Sequence, residues 1–209
     1  MIVRLIQKNY QFIIGWLLFI LLGLIYLYNF DKASSFITAN PLHNTFLDYI
    51  FRIITTLGDG LFIAALGVLL FILKAKRHSL LLLASFAVSG IIVQLIKIIS
   101  PSPRPSLFLQ QQHIDYPYFL AQITLHNFYS FPSGHTASAF AVAASLAFLL
   151  KNKSYSFIFL MMAILTGYSR IYLGQHFPED VVAGSAIGVV STMATMIMLD
   201  RLFPKWQQL

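Results

Sequence analysis

The chain has 209 residues, of which 58% are hydrophobic and only 10% are charged. A soluble globular protein carries about 25% charged residues, so a chain this poor in charge is not expected to build a water-facing surface. The formal net charge is +7, but the basic residues are sparse and lie between apolar runs. This pattern indicates membrane topology and anionic lipid rather than nucleic acid. Since there are no cysteines, disulfides, zinc–thiolate sites and iron–sulfur clusters are excluded.

Six apolar segments approach the length of about 20 residues that a helix needs to cross a bilayer. The predicted spans are residues 12–30, 51–73, 79–99, 133–150, 155–173 and 180–199. The first segment is longer than the roughly 7–15 apolar residues of a signal peptide, which favours a retained helix. Backbone groups in lipid must bond within their own segment, so all six are predicted to be helical. The sequence therefore predicts an all-α, polytopic membrane protein with a single domain over residues 1–209.

Basic residues are distributed unevenly between the two ends of these helices. With six spans, one face carries the N-terminus, the connections between spans two and three and between spans four and five, and the C-terminus. Nine basic residues lie there: Arg4, Lys8, Lys74, Lys76, Arg77, Lys151, Lys153, Arg201 and Lys205. Cytoplasmic loops carry the excess of Lys and Arg, so both termini are predicted to be cytoplasmic, in the inner (cytoplasmic) membrane. The polar connection 100–132 is then an outer loop, and loops of this length are often functional.

Three polar motifs lie at the helix ends that the charge pattern assigns to the outer face. They are Lys97 with Arg104 and Pro105; Pro132, Ser133, Gly134 and His135; and Ser169, Arg170, His176 and Asp180. Ionisable groups at membrane depth are costly, so they are candidates for function by default. Because the topology alone assigns the three motifs to one face, we expect them to share a pocket.

Several of these residues suit the binding of a phosphate group. Lys97, Arg104 and Arg170 supply three cations. The fork of an arginine pairs with two phosphate oxygens, whereas lysine acts as a point charge. Ser133 stands at the expected N-cap of a helix, where its hydroxyl and the free backbone N–H groups that follow would face an anion. Gly134 has no Cβ, so the backbone can approach a ligand closely.

Two histidines can divide the chemistry between them. His176 and Asp180 are four residues apart. The carboxylate can accept the Nδ1 hydrogen and leave Nε2 free to attack phosphorus. His135 can then protonate the leaving oxygen as a general acid. A two-metal phosphatase needs several convergent carboxylates, and only Glu179 and Asp180 are near, so the sequence predicts neither a metal nor another cofactor.

The three motifs resemble those of the type 2 phosphatidic acid phosphatase family, whose members share their core with vanadium-dependent haloperoxidases and glucose-6-phosphatase. The family pattern is a lysine, six residues and Arg-Pro; then Pro-Ser-Gly-His; then Ser-Arg, five residues, a histidine, three residues and an aspartate. This sequence matches every fixed position. The resemblance implies a phosphohistidine on His176, an acid role for His135 and an orienting role for Asp180. It also implies phosphate binding by Lys97, Arg104, Ser133, Gly134 and Arg170.

The expected function is hydrolysis of a lipid phosphate monoester or diphosphate, with no nucleic acid and no obligate protein partner. Candidate substrates are undecaprenyl diphosphate, phosphatidylglycerol phosphate, phosphatidic acid and the phosphates of lipid A, with selectivity expected in residues 31–50 and 100–132. The alternative is a non-catalytic lipid-phosphate binding or transport protein, which would need the cations but not both histidines and Asp180. Haloperoxidase chemistry would need bound vanadate, and is disfavoured.

Features outside the motifs leave further alternatives open. Asp59, within the second predicted span, is either a structural hydrogen-bonding residue or a residue that helps to orient the pocket. His126, in the outer loop, is either an ordinary loop residue or a contact of the lipid head group. Gly184 and Gly188 form a small-xxx-small pair, which predicts close helix packing inside the bundle rather than dimerisation.

Overall fold

The computed structural model of the protein describes residues 2–120, 123–150, 152 and 154–204. Within these ranges the chain forms ten α-helices and no β-strand, which confirms the all-α prediction. The helices are α1 (Ile2–Lys8), α2 (Tyr10–Asn29), α3 (Lys32–Ala39), α4 (Thr45–Thr55), α5 (Gly60–Ile72), α6 (Lys76–Ile99), α7 (Pro105–Gln111), α8 (Gly134–Leu149), α9 (Tyr155–Tyr172) and α10 (Pro178–Leu202).

Three helices in the described part of the chain are long and apolar enough to cross a bilayer, namely α2, α6 and α10. The pair α4 and α5 adds a fourth candidate if the two helices form one span. The predicted spans 133–150 and 155–173 are present as α8 and α9, but α8 has only 16 residues and α9 is not among the candidates. The protein is therefore an integral membrane protein with three or four candidate spans, and the count of six stays a prediction.

The predicted span 51–73 is not one continuous helix. α4 ends at Thr55, a single 3-10 turn covers Thr56–Gly58, and the direction of the chain changes by 55° before α5. Asp59 is the N-cap of α5, and its side chain accepts a hydrogen bond of 2.8 Å from the Leu61 N–H. The assignment of Asp59 to the inside of a helix was therefore wrong. An aspartate between two glycines favours capping over helix continuation, because its carboxylate competes for backbone N–H groups.

The central helix of the bundle is α8, which contacts α6, α9 and α10. Its neighbours approach closely because the facing residues are small. A Cβ on Gly184 of α10 would lie 2.6 Å from the carbonyl oxygen of Ser133, and one on Gly188 would meet the carbonyl oxygen of Ala137. The glycine pair thus packs inside the bundle, as predicted. The apolar core around α8 includes Phe12, Phe140, Phe148, Leu160 and Val189.

Helices α6 and α9 run antiparallel to α8 and α10, and this brings the three motifs to one end. At the other end, Arg77 at the start of α6 donates a 3.0 Å hydrogen bond to Asp200 near the end of α10. At the motif end, the Ser133 N–H donates to the Asp180 carbonyl oxygen at 3.0 Å. The C-terminal ends of α6 and α9 therefore lie beside the N-terminal ends of α8 and α10.

The connection 100–132 is folded over this end of the bundle and contains α7. Its two arms are joined by backbone hydrogen bonds from Ser130 N–H to the Ser102 carbonyl oxygen (3.1 Å) and from Arg104 N–H to the Asn127 carbonyl oxygen (2.8 Å). These bonds satisfy backbone groups that a loop near lipid must pair. Arg104 and Ser130 are thereby held close to the ends of α8 and α10.

An aromatic cluster packs the outer helices α3 and α7 against the start of α10. The Phe36 ring makes edge contacts with Tyr116 and Phe177 at centroid distances of 5.2 and 5.8 Å. Lys32 lies over the Phe177 ring at 4.4 Å and forms a 2.7 Å ion pair with Glu179. Residues from segment 31–50 and from the outer loop are thus packed directly beside the third motif.

Candidate active site

His176 lies in the turn between α9 and α10, and its Nδ1 is 3.2 Å from Asp180 Oδ2. The same carboxylate oxygen accepts hydrogen bonds from the Ser130 hydroxyl at 2.5 Å and from the Phe177 N–H at 2.9 Å. An oxygen approached by two donors acts as an acceptor toward the third group as well, so we assign the imidazole hydrogen to Nδ1. The lone pair of His176 is then on Nε2, which is the arrangement that a nucleophile requires.

The electrostatic surroundings keep His176 neutral. Its side chain is 2% exposed, and burial lowers the pKa of His176 well below its ordinary value. The positive charges of Arg170, Arg104 and Lys97 lower that pKa further. The imidazole therefore remains unprotonated at physiological pH, with Nε2 available for attack.

The turn before His176 depends on glycine. Gly174 adopts a left-handed conformation (φ 67°), and a Cβ there would lie 2.8 Å from the ring of Phe119. The Gln175 and His176 N–H groups both donate to the Arg170 carbonyl oxygen, at 2.9 and 3.2 Å. Such a reversal after the last helical turn is typical of glycine at a helix C-terminus. It fixes His176 relative to Arg170 within the same motif.

The second motif forms the first turn of α8, as its sequence predicts. Ser133 is the N-cap, and its Oγ accepts from the Thr136 N–H at 3.3 Å and from the Thr136 hydroxyl at 2.8 Å. His135 is half-buried in this turn and lies within electrostatic range of His176. At Gly134 the nearest heavy atom to an added Cβ is on Val93 at 3.8 Å. Packing does not require glycine there, and close approach of a ligand stays a prediction.

Arg104 is held in place by the loop and by the residue that precedes His176. Its Nε donates to the Phe128 carbonyl oxygen at 3.1 Å, and its Nη1 donates to the carbonyl and side-chain oxygens of Gln175 at 3.1 and 2.9 Å. Gln175 in turn donates from Nε2 to the Thr124 carbonyl oxygen at 3.2 Å. Burial lowers the pKa of Arg104 from its ordinary value, while the nearby Asp180 carboxylate raises it. A guanidinium fixed on one edge presents its other edge to an anion.

Arg170 and Lys97 complete the cationic part of the site. Arg170 is buried and donates from Nη1 to the Thr55 hydroxyl at 2.8 Å, while its Nε has no acceptor among the described residues. Lys97 is half-buried at the end of α6, within electrostatic range of Arg104, Arg170 and Asp180. All three cations act electrostatically on His176, so the site carries an excess of positive charge suited to an anionic group.

The structure adds three residues that the motif analysis did not single out, namely Ser130, Gln175 and Thr55. Ser130 and Gln175 are close in sequence to motif residues, which is a weak signal, whereas nothing in the sequence pattern connects Thr55 with Arg170. His126 is exposed, so both alternatives for it stay open. Within the described ranges, His, Asp and Glu side chains do not gather in a group of three or more that could hold a metal ion.

A helical membrane bundle that gathers two histidines, a buried carboxylate and three cations at one end has the side chains that phosphoryl transfer at a membrane requires. The chain belongs to the PAP2 superfamily, whose family model matches residues 78–204. This confirms the family that the three motifs predicted.

Named relatives of the chain are membrane lipid phosphatases. It is 29% identical to undecaprenyl-diphosphatase BcrC of Bacillus subtilis over 78% of this chain and 80% of that protein. It is 26% identical to lipid A 4'-phosphatase of Porphyromonas gingivalis over 76% of this chain and 69% of that protein. The crystal structure of Aquifex aeolicus LpxE is similar with a TM-score of 0.68 and 30% identity, over 78% of this chain and 92% of that one.

Proposed function

We propose that the protein is a membrane lipid phosphatase that transfers a phosphoryl group from a lipid first to His176 and then to water. The observation that carries this proposal is the pairing of His176 with a buried Asp180. Three cations lie within electrostatic range of His176. A protein that only binds phosphate needs the cations. It has no use for a carboxylate that accepts three hydrogen bonds in order to orient one imidazole.

In the first step, Nε2 of His176 attacks phosphorus and the bond from phosphorus to the lipid oxygen breaks. His135 donates a proton to that oxygen, and the dephosphorylated lipid leaves. In the second step, His135 takes a proton from water and the resulting hydroxide attacks phosphorus. The bond from phosphorus to Nε2 of His176 breaks, which restores the imidazole and releases inorganic phosphate. Lys97, Arg104 and Arg170 stabilise the charge on the equatorial oxygens in both transition states. Asp180 stabilises the imidazolium that forms on His176.

No metal ion is required in this mechanism, because the three cations supply the charge that a metal would supply. The leaving oxygen is protonated by His135 rather than coordinated. We therefore propose metal-independent and cofactor-independent hydrolysis.

The surroundings of the pocket favour a lipid as the substrate. An apolar cavity of about 110 Å³ lies between α5, α8 and α9, with Leu57, Phe62, Ala139 and Thr166 in its lining. Gly58 links this cavity to the site, because a Cβ on Gly58 would meet both Thr166, which lines the cavity, and His135. A hydrocarbon chain is the natural occupant of such a space in a membrane. Undecaprenyl diphosphate, lipid A phosphates, phosphatidylglycerol phosphate and phosphatidic acid are the candidate substrates.

We further propose six spans, cytoplasmic termini and a site on the outer face of the inner membrane. The end of the bundle opposite to the site carries the start of α6 with Lys76 and Arg77 and the end of α10 with Arg201. An excess of basic residues marks the cytoplasmic side, which supports this orientation. Three further basic residues behind the prediction, Lys151, Lys153 and Lys205, lie outside the described residues, as does the side chain of Arg4.

The proposal is tested by measuring phosphate release from a panel of the four candidate lipids by purified protein, with and without EDTA. We expect release from at least one lipid, unchanged by EDTA and abolished in His176→Ala. His78→Ala is the matched control, because His78 is half-buried in the first turn of α6 at the opposite end of the bundle. Saturable binding of a lipid phosphate without release would instead support the binding or transport alternative.

A further inference from the structure

The bend between α4 and α5 touches two residues of the site. Thr55, the last residue of α4, accepts a hydrogen bond from Arg170, and Gly58 packs against His135. The contacts join residues that are far apart in sequence. The bend also precedes residues 78–204, over which the family model matches, so the family motifs do not describe it.

Thr55 provides a hydrogen-bond acceptor for the Arg170 guanidinium. Arg170 is buried, and the hydroxyl of Thr55, 2.8 Å from Nη1, is the acceptor for its side chain among the described residues. Arginine has a long, flexible side chain, so a single fixed acceptor selects which edge of the fork points into the pocket. Misdirection of a binding group by about 1 Å can reduce catalysis by about a hundredfold.

Gly58 packs closely against the first turn of α8 at His135. A Cβ on Gly58 would lie 2.6 Å from the carbonyl oxygen of His135, 3.0 Å from its Cβ and 3.0 Å from Thr166 Cγ2. The first of these atoms belongs to the backbone of α8 and cannot move aside as a side chain can. The 3-10 turn and the first turn of α8 are therefore in direct contact, with no room for a side chain between them.

Asp59 fixes the bend itself. Its carboxylate caps α5 through the Leu61 N–H at 2.8 Å, and its charge acts on both His135 and Arg170. Capping of this kind stabilises the start of a helix and so favours a new helix beginning at Gly60. Asp59 therefore acts on the pocket through the conformation of the chain.

We infer that residues 55–59 are a positioning element of the active site, in which Thr55 orients Arg170 toward the phosphate and Gly58 sets the position of His135. This inference rests on the proposed function. Residues 55–59 are then a fourth chain segment, in addition to the three motifs, that determines the geometry of the transition state.

The test compares Thr55→Val, which removes the hydroxyl at nearly constant volume, with Thr55→Ser, which keeps it. Thr55→Val is expected to lower kcat/KM and to weaken inhibition by orthovanadate, each by about tenfold, which corresponds to one lost hydrogen bond to a charged group. Thr55→Ser should retain both within about twofold, because the acceptor is kept. Thr55→Ala provides a second variant without the hydroxyl, should Thr55→Val not fold. Thermal melting in detergent measures stability separately.

A second pair of variants tests Gly58. Gly58→Ala should lower kcat by displacing His135, with orthovanadate inhibition changed much less, because the cations are untouched. Gly90→Ala is the matched control, since an added Cβ on Gly90 in α6 meets no atom within 4 Å. Wild-type kcat in Gly58→Ala would overturn the role of Gly58.

The outcomes separate this inference from the proposed function. If the wild-type protein releases no phosphate from any lipid, the proposed function is overturned. The role of Thr55 can then still be tested through orthovanadate binding, measured by its effect on thermal melting. Active wild-type protein with unchanged kcat/KM and orthovanadate inhibition in Thr55→Val overturns the inference alone. Equal losses in Thr55→Val and Thr55→Ser also overturn it, because the effect would then follow the shape of the side chain.

Discussion

Replacing Asp180 by asparagine removes one negative charge from the catalytic pair and leaves the shape of the side chain almost unchanged. The amide oxygen of the new residue can still accept from His176, Phe177 and Ser130, as Asp180 Oδ2 does. Its NH₂ group would occupy the position of Asp180 Oδ1, which is buried and has no donor among the described residues. The variant is therefore expected to fold, and its defect should be catalytic.

The size of that defect follows from the distance between the two groups. His176 Nδ1 and Asp180 Oδ2 are 3.2 Å apart. Two unit charges at that separation attract each other by about 5 kcal/mol at an effective dielectric constant of about 20. If about half of the imidazolium charge has developed at the transition state, the loss is about 2.5 kcal/mol, or roughly 70-fold in kcat.

The assay is steady-state phosphate release from the preferred lipid, with thermal melting to confirm the fold. Glu179→Gln is the matched control, because Glu179 is the neighbouring carboxylate and pairs with Lys32 at 2.7 Å, whereas His176 pairs with Asp180. It should keep kcat within about threefold, as expected for a partly exposed ion pair. A folded Asp180→Asn variant with kcat as high as that of Glu179→Gln would refute the orienting role of Asp180.

Three further predictions concern the division of labour, the pH dependence and the topology. His176→Ala should lose all covalent phosphoenzyme. His135→Ala should regain part of its rate with p-nitrophenyl phosphate, because the good leaving group of this substrate needs little protonation. Acid-labile phosphate found on His135 would reverse the two roles. Because burial and nearby cations lower the pKa of His176, protonation should reduce kcat/KM only below the ordinary histidine value, about pH 6.5. Arg104→Gln removes one of these cations, so the acid limb should move to higher pH; a shift to lower pH would contradict this assignment. A cysteine at the exposed Gln111, in a chain without native cysteines, should react with an impermeant reagent in intact cells; labelling only after lysis would reverse the orientation.

The chemistry of the site could be predicted from sequence because most of it is encoded over short distances. His176 and Asp180 are four residues apart at the start of a helix, a spacing that brings their side chains together. Ser133 caps α8 through Thr136, three residues away. Contacts of this kind depend on helix periodicity and capping rules, which act within one or two turns. The apolar segments likewise predicted helices, since lipid permits little else.

The contacts that hold the site together were decided by tertiary structure. Ser130 reaches Asp180 across 50 residues, Arg104 reaches Gln175 across 71, and Arg170 reaches Thr55 across 115. No periodicity links such positions, because each contact forms only after the helices have packed. The break at Asp59 was hidden for a related reason. Residues 51–73 have the length and apolar character of a single span, although they contain the capping signal at Asp59. The bend is fixed by that local cap and by the fit of Gly58 against α8. Hydrophobicity specifies that a segment enters the membrane, but the packing of backbone against backbone determines its path there.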